Sequence, residues 1–373
     1  MSAGARPLTI AVTGLNATDN PGPGVPVLRS LRDGARAGER RIGLTYDALD
    51  PGIYARELAD QVFLLTYPSA GADAFLDRLA SIHERAPLDV IIPTLDAELP
   101  LFIALEQQLR AMGIALFVPT EAQLALRGKA QLAALGRAAD IDVPETAVVT
   151  GADDIPRVDG KVGYPLFVKG PYYGATLATC RAEAIAAFYR ALAAWGGPVI
   201  LQACVHGEEV NLVGVGDGKG GLLGPVVMKK LALTDKGKGW AGVTIRHEGL
   251  VEVAARFVAA TRWRGPLEVE ALRSSPDTYH VIEINPRFPA WVHLATGAGV
   301  DLPRVVVDLA RGEAPPALPP YQVGKLFVRI SLDQVVDMQE FERIVTTGET
   351  AHAGTLSASL RVDRPGQPGR KVS

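Results

Sequence analysis

The sequence predicts a parallel α/β domain followed by a two-lobed α+β region, and three observations carry that reading. Short apolar runs alternate with amphipathic segments through the first third of the chain, the arrangement that places helices on the faces of a parallel sheet. After Asp142-Val-Pro144 the texture shifts to a small unit of strand, turn, helix and strand. From Glu208 onward the strands lengthen and are separated by glycine, lysine and Ser-Ser-Pro turns, as in an antiparallel sheet built from hairpins.

In the front region Leu8–Val12, Arg41–Thr45, Gln61–Leu65, Val90–Ile92 and Leu116–Val118 are the expected strands. The Gly14–Gly24 loop follows a strand and precedes a helix, where backbone amides and a helix N-terminus can hold an anion. Thr120-Glu-Ala-Gln123 is a capping box that predicts a helix running through Lys129 to about Ala139. In the next unit Tyr164–Lys169 is a strand, Gly170–Thr176 a turn, Arg181–Ala194 a helix and Val199–Cys204 a strand. The hairpin strands are Val210–Val215, Leu222–Leu233, Gly242–Arg246, Leu267–Leu272 and His280–Asn285. Gly312–Pro320 is a linker to a last strand at Lys325–Ile330, and Pro365–Ser373 a frayed tail.

At 373 residues the chain is long enough for two or three domains. Its net charge of −3 leaves no basic excess for a phosphodiester backbone, so nucleic acid is not expected as a ligand. Cys180 and Cys204 belong to no CxxC or Cys/His cluster, which removes the usual zinc and disulfide frameworks. No apolar leader and no membrane-length apolar run are visible, so a cytoplasmic protein without a membrane partner is expected.

The chemistry is concentrated in Leu267-Glu-Val-Glu270 and Val281-Ile-Glu283-Ile-Asn285-Pro-Arg287. Side chains alternate along a strand, so Glu268 and Glu270 share one face, as do Glu283 and Asn285, with Ile282 and Ile284 opposite. Two solvated strands with acidic outer faces would show the same alternation. The apolar setting of Glu283 and Asn285 favours a working oxygen-rich face instead. Hard oxygen ligands suit Mg²⁺, which takes one or two carboxylates and completes its shell with phosphate oxygens and water. Arg287 is then placed to meet charge on a transferred phosphoryl group.

Glu270, followed thirteen residues later by Glu283-Ile-Asn285-Pro-Arg287, resembles the metal-binding signature of ATP-grasp enzymes, especially the branch of carbamoyl-phosphate synthetase and biotin carboxylase. The resemblance implies an N-terminal pre-ATP-grasp domain over 1–118, a linker helix and small lobe over 119–199, a large lobe with the metal site over 200–312, and a C-terminal extension over 313–373. It implies that Glu270, Glu283 and Asn285 bind Mg²⁺ (or Mn²⁺), that Lys129 and Lys169 meet the ATP, and that Arg287 stabilises an acyl phosphate. Val199–Val210 is similar to the family's hinge, with the Ala203 and Val205 backbone facing adenine and Glu209, rather than its neighbour Glu208, on the ribose. Gln202 stands there where many relatives carry an acid. The Lys169–Thr176 turn resembles the flap over the phosphates, although Pro171, Tyr172 and Tyr173 replace the usual glycines. Among Lys229, Lys230, Lys236 and Lys238 one is a candidate for the γ-phosphate, with a solvated turn as the alternative.

The activity implied is that of an ATP- and Mg²⁺-dependent carboxylate–amine ligase, forming an amide through an acyl phosphate and releasing ADP and phosphate. A carboxylating or carbamoylating enzyme that uses bicarbonate or carbamate is the alternative within the superfamily. Arg246, His247 and Arg287 are candidates for capturing the acid, Asp96 and Glu98 for the amine. Small-molecule carboxylates and amines are the implied partners, with a homodimer as an open option. Outside the superfamily, Gly22-Pro-Gly24 followed by Asp47 approximates a dinucleotide-binding turn, but Val27 replaces the third glycine and three prolines crowd the loop. A non-catalytic ATP-binding protein is the third alternative.

Overall fold

The computed structural model describes residues 6–18, 20–170, 174–234 and 237–351. Tyr172, Tyr173, Lys236, the tail from Pro365 and the side chain of Lys129 lie outside the described residues.

The front sheet contains β1 (Leu8–Val12), β2 (Glu39–Thr45), β3 (Gln61–Leu64) and β4 (Val90–Ile92), all parallel, in the order β3-β2-β1-β4. The second sheet is formed from β5 (Thr146–Val149), β6 (Leu166–Lys169), β7 (Ala175–Ala178) and β8 (Val199–Ala203), in the order β5-β8-β6-β7 with antiparallel pairing. The third holds β9 (Glu208–Asp217), β10 (Leu222–Leu233), β11 (Gly239–Thr244), β12 (Arg264–Ser275), β13 (Thr278–Asn285) and β14 (Leu326–Val328), in the order β13-β12-β9-β10-β11-β14. The chain is thus a parallel α/β unit followed by two antiparallel sheets, as the sequence patterning predicts.

Alternation on β1 decides how the front sheet packs. Ala11 joins Phe75, Leu79 and Phe102 on one face. Ile10 and Val12 face the other way, into a core shared with Val213, Val215, Val226 and Met228 of the large sheet and with helix Leu302–Ala310. Front unit and large sheet therefore close on a single apolar core rather than meeting through a wet interface. A buried ion pair reinforces the join, with Arg304 on that helix bridging Glu39 of β2 at 2.7 Å. The small sheet has its own core around Phe188, Val168 and Leu201.

Several local expectations differ. Beyond β4 the fifth front strand is reduced to one parallel bridge, Val90 with Ala115, and Leu116–Val118 is not a strand. The capping box at Thr120 is formed, but the helix it opens ends at Leu126. Gly128 takes an extended conformation, a short 3₁₀ turn covers Lys129–Gln131, and a second helix spans Leu132–Ala139. β5, helix Ile155–Val162 and helix Met338–Thr347 were not legible in the sequence. β8 lies in the small sheet and β14 in the large one, so the sheets exchange at Ala203 and regain a strand after the 312–320 segment.

Candidate active site

β12 lies between β9 and β13, so its side chains meet neighbours on both flanks. Glu270 is opposite Glu283 on β13 and Asn211 on β9, while Glu268 is opposite Asn285. The register skips one residue after the Glu270–Glu283 pair, because Ala271 faces Val281; a bulge of this kind re-aims side chains locally. Like charges directly opposite each other destabilise a sheet, and a cation relieves that cost. Lys230 of β10 supplies part of it, reaching Glu209 and lying 3.6 Å from Glu270. Burial works to lower the Lys230 pKa, but Glu270 and Glu209 outweigh it and hold the ammonium above its ordinary value.

Glu268 is buried and receives three hydrogen bonds. The Trp291 indole donates at 2.7 Å, the Asn285 amide at 3.0 Å and the Asn211 amide at 3.3 Å. Asn285 Nδ2 also donates to Glu270 at 3.1 Å, tying both carboxylates to one amide. The buried Asn211 Oδ1 has no hydrogen-bond partner among the described residues, an acceptor that a cation or its water would meet. No group of three or more His, Cys, Asp or Glu side chains among the described residues is arranged as a metal cage. Glu270 and Glu283, opposite each other, are two carboxylates, the number an ion takes that completes its shell with phosphate oxygens and water, as Mg²⁺ does.

Burial, and then the charge of Glu270, push the Glu268 carboxyl up to about 7 from the ordinary glutamate value. A carboxyl whose folded pKa is raised favours the fold most at low pH, and that contribution is lost as pH rises through the folded value. In chelator-treated protein the melting temperature is therefore expected to fall between pH 5 and pH 8, and Glu268→Gln should flatten the decline. An identical slope in the variant, followed by differential scanning fluorimetry, would remove Glu268 as its origin.

Arg287 follows β13 and meets a carboxylate from the front unit: its Nε donates to Asp96 Oδ2 at 2.7 Å. Arg127 approaches the other oxygen of Asp96 at 2.8 Å. Burial pushes the Asp96 carboxyl up, but Arg287 and Arg127 outweigh that and hold it below its ordinary value. Asp96, the candidate for capturing an amine, is thus a partner of the two arginines. Glu98, the other candidate for the amine, faces its own domain. It is fully buried, accepts from the Thr13 and Tyr46 hydroxyls, and takes the Thr94 and Leu95 amides at 2.9 Å, all within the front unit.

In the small sheet Lys169 ends β6 and donates to Gln202 Oε1 on β8 at 2.6 Å. Gln202 in turn donates to Thr146 at 3.3 Å, so its side chain positions the lysine. The Ala203 amide donates to Glu145 O at 2.8 Å, so an adenine contact through that N–H would have to displace a strand bond. Val205 lies in the connection to β9. Alternation at the start of β9 sends Glu208 to Lys229 and Glu209 to Lys230, and it is the Glu209 side that adjoins the carboxylates. Arg246 is exposed. His247 is engaged with the Tyr279 hydroxyl at 2.9 Å, near the Arg273–Tyr279 pair of the hairpin. That pair is about 10 Å along the strands from Glu270. Arg127, Asn211 and Trp291 join the site without a motif of their own in the sequence; Trp291, four residues beyond Arg287, is the most legible of them.

The three sheets in this order make a biotin-carboxylase-like ATP-grasp fold. Among solved structures, the biotin carboxylase of Campylobacter jejuni in its β,γ-ATP complex superposes with a TM-score of 0.67 at 16% identity, over 84% of this chain and 73% of that one. The biotin carboxylase domain of the Hydrogenobacter thermophilus 2-oxoglutarate carboxylase, with MgADP and bicarbonate, gives a TM-score of 0.67 at 14% identity, over 87% and 74%. The L-amino acid ligase of Bacillus licheniformis gives 0.60 at 16% identity, over 82% and 75%. No family model matches the sequence, and no curated protein matches it. Among the described residues no helix is long and apolar enough to cross a membrane.

Proposed function

We propose that the chain is an ATP- and Mg²⁺-dependent ligase that joins a carboxylate to an amine and releases ADP and phosphate. The observation that carries this reading is the cross-strand pair Glu270–Glu283, with Asn285 and an unsatisfied Asn211 oxygen beside it and Arg287 at its end. When bound, Mg²⁺ would lie against Glu270, Glu283 and Asn285 and neutralise phosphate charge. Lys169, held by Gln202, faces the phosphates, and Glu209 the ribose. A substrate carboxylate oxygen attacks the γ-phosphorus as the bond to the β,γ-bridging oxygen breaks and ADP leaves. Arg287 offsets the charge of the resulting acyl phosphate. The amine nitrogen then attacks the acyl carbon, the bond to phosphate oxygen breaks, and a proton leaves the nitrogen. Positioning and charge neutralisation supply the catalysis.

The bicarbonate-using alternative needs the same nucleotide site and is favoured by the bicarbonate in the Hydrogenobacter structure. That domain is a dimer, and a homodimer in the cytoplasm completes the reading for this chain. The test is a thermal-shift titration with a non-hydrolysable ATP analogue, with and without Mg²⁺, and with NAD as control. A rise that requires both analogue and metal is expected, of about 3 kcal/mol in stability at a hundredfold excess over Kd. A rise with NAD alone would retire the ligase.

A further inference from the structure

A cavity of about 1030 Å³ lies between the front unit and the 325–337 segment and shares one residue with the carboxylate site. Its floor is apolar and buried, with Val25, Leu58, Trp291 and Leu294 at 5%, 1%, 7% and 6% exposed, while the exposed Arg29, Arg56, Glu57, Asp333 and Asp337 line its rim. The four floor residues belong to the core shared by the front unit and the large sheet, so the recess is part of one packed body. Trp291 is common to both sites, because it lines the cavity while its indole donates to Glu268 at 2.7 Å.

The segment bordering the cavity is pinned in place. Arg329 donates to Asn20 O at 2.8 Å and Ala290 O at 3.0 Å, Asn20 Nδ2 to Ser331 Oγ at 2.8 Å, and Gln334 to Pro51 O at 3.1 Å. Polar groups hold it, while Ile330 and Leu332, which line the cavity, are left 70% and 73% exposed. Apolar side chains held in water at the mouth of a recess with an apolar floor and a charged rim are the arrangement that a bound apolar body with a polar head would cover.

Resting on the ligase reading above, we propose that this recess is the specificity chamber for the larger substrate, which carries a bulky apolar body and presents its reacting head past Trp291. The volume is at the upper end of those that hold small molecules, roughly 300–1,000 Å³, and suits an aromatic or long aliphatic group better than a short polar one. The head is a carboxylate or an amine, which the experiment separates.

The test uses the full chain with Mg²⁺ and a non-hydrolysable ATP analogue, and measures binding of two probe pairs by calorimetry: 4-phenylbutyrate against butyrate, and 4-phenylbutylamine against butylamine. One phenyl-bearing probe is expected to bind at least tenfold more tightly than its short counterpart, and its pair identifies the head. Ile330→Asp and Leu332→Asp, both at exposed positions, should each erase most of that preference without changing analogue binding. No preference in either pair, or a preference untouched by both substitutions, overturns the chamber and leaves the ligase standing. Absence of metal-dependent analogue binding in the unaltered chain overturns the ligase reading itself, and the chamber with it.

Discussion

Glu283→Gln is expected to lower ADP release by about a hundred- to a thousandfold, the range seen when a group stabilising transition-state charge is removed. Glu283 faces Glu270 across β12 and β13, and on the ligase reading the pair holds the metal. Glutamine keeps the size and the hydrogen-bonding capacity but removes one of the two negative charges that a hard cation requires. Glutamine keeps the strand pairing with Glu270, so the fold is expected to survive the substitution. The metal-free protein is therefore expected to melt in a single transition like the unaltered chain while turnover collapses. Coupled-assay ADP release within threefold of the unaltered protein, at saturating Mg²⁺, would show that the two-strand pair is not the metal site.

The paired strands were legible because alternation is a strict period. Once Glu268, Glu270, Glu283 and Asn285 were assigned to strands, their shared faces followed, and the structure pairs them accordingly. What alternation cannot give is burial or the identity of the third neighbour. Glu268 differs from Glu270 because Trp291 and Asn211 close over it, and those contacts come from β9 and from the loop after β13. The front unit teaches the same lesson from the other side. Asp96 and Glu98 stand two apart in a loop, where no fixed period relates their directions. One meets two arginines and the other the hydroxyls and amides of its own domain. Nor did the helical pattern over 121–139 reveal that Gly128 leaves helical geometry between two shorter helices, since a single internal glycine costs a helix only about 1 kcal/mol.

The contact between Asp96 and Arg287 spans 191 positions of sequence and joins the front unit to the candidate catalytic arginine. Arg287→Ala is expected to reduce kcat by about a hundredfold, by removing charge that matters as the phosphoryl group moves. Asp96→Asn should reduce it by about tenfold, because Arg127 and Arg287 would then face each other with no carboxylate between them. Losing one partner of a largely buried ion pair also costs about 3 kcal/mol of stability. That cost depends on pH. The Asp96 pKa is depressed in the fold, so its contribution is full above the ordinary aspartate value and is lost as pH falls through the lower folded value. Wild type and Asp96→Asn should therefore draw together in melting temperature as pH falls below the ordinary aspartate value and diverge at pH 7. The kinetic effects decide how Asp96 acts. If it works through Arg287, adding Asp96→Asn to Arg287→Ala should change kcat by less than twofold, since coupled residues are not additive. Full additivity in that cycle would separate Asp96 from the arginine and return it to direct contact with a substrate.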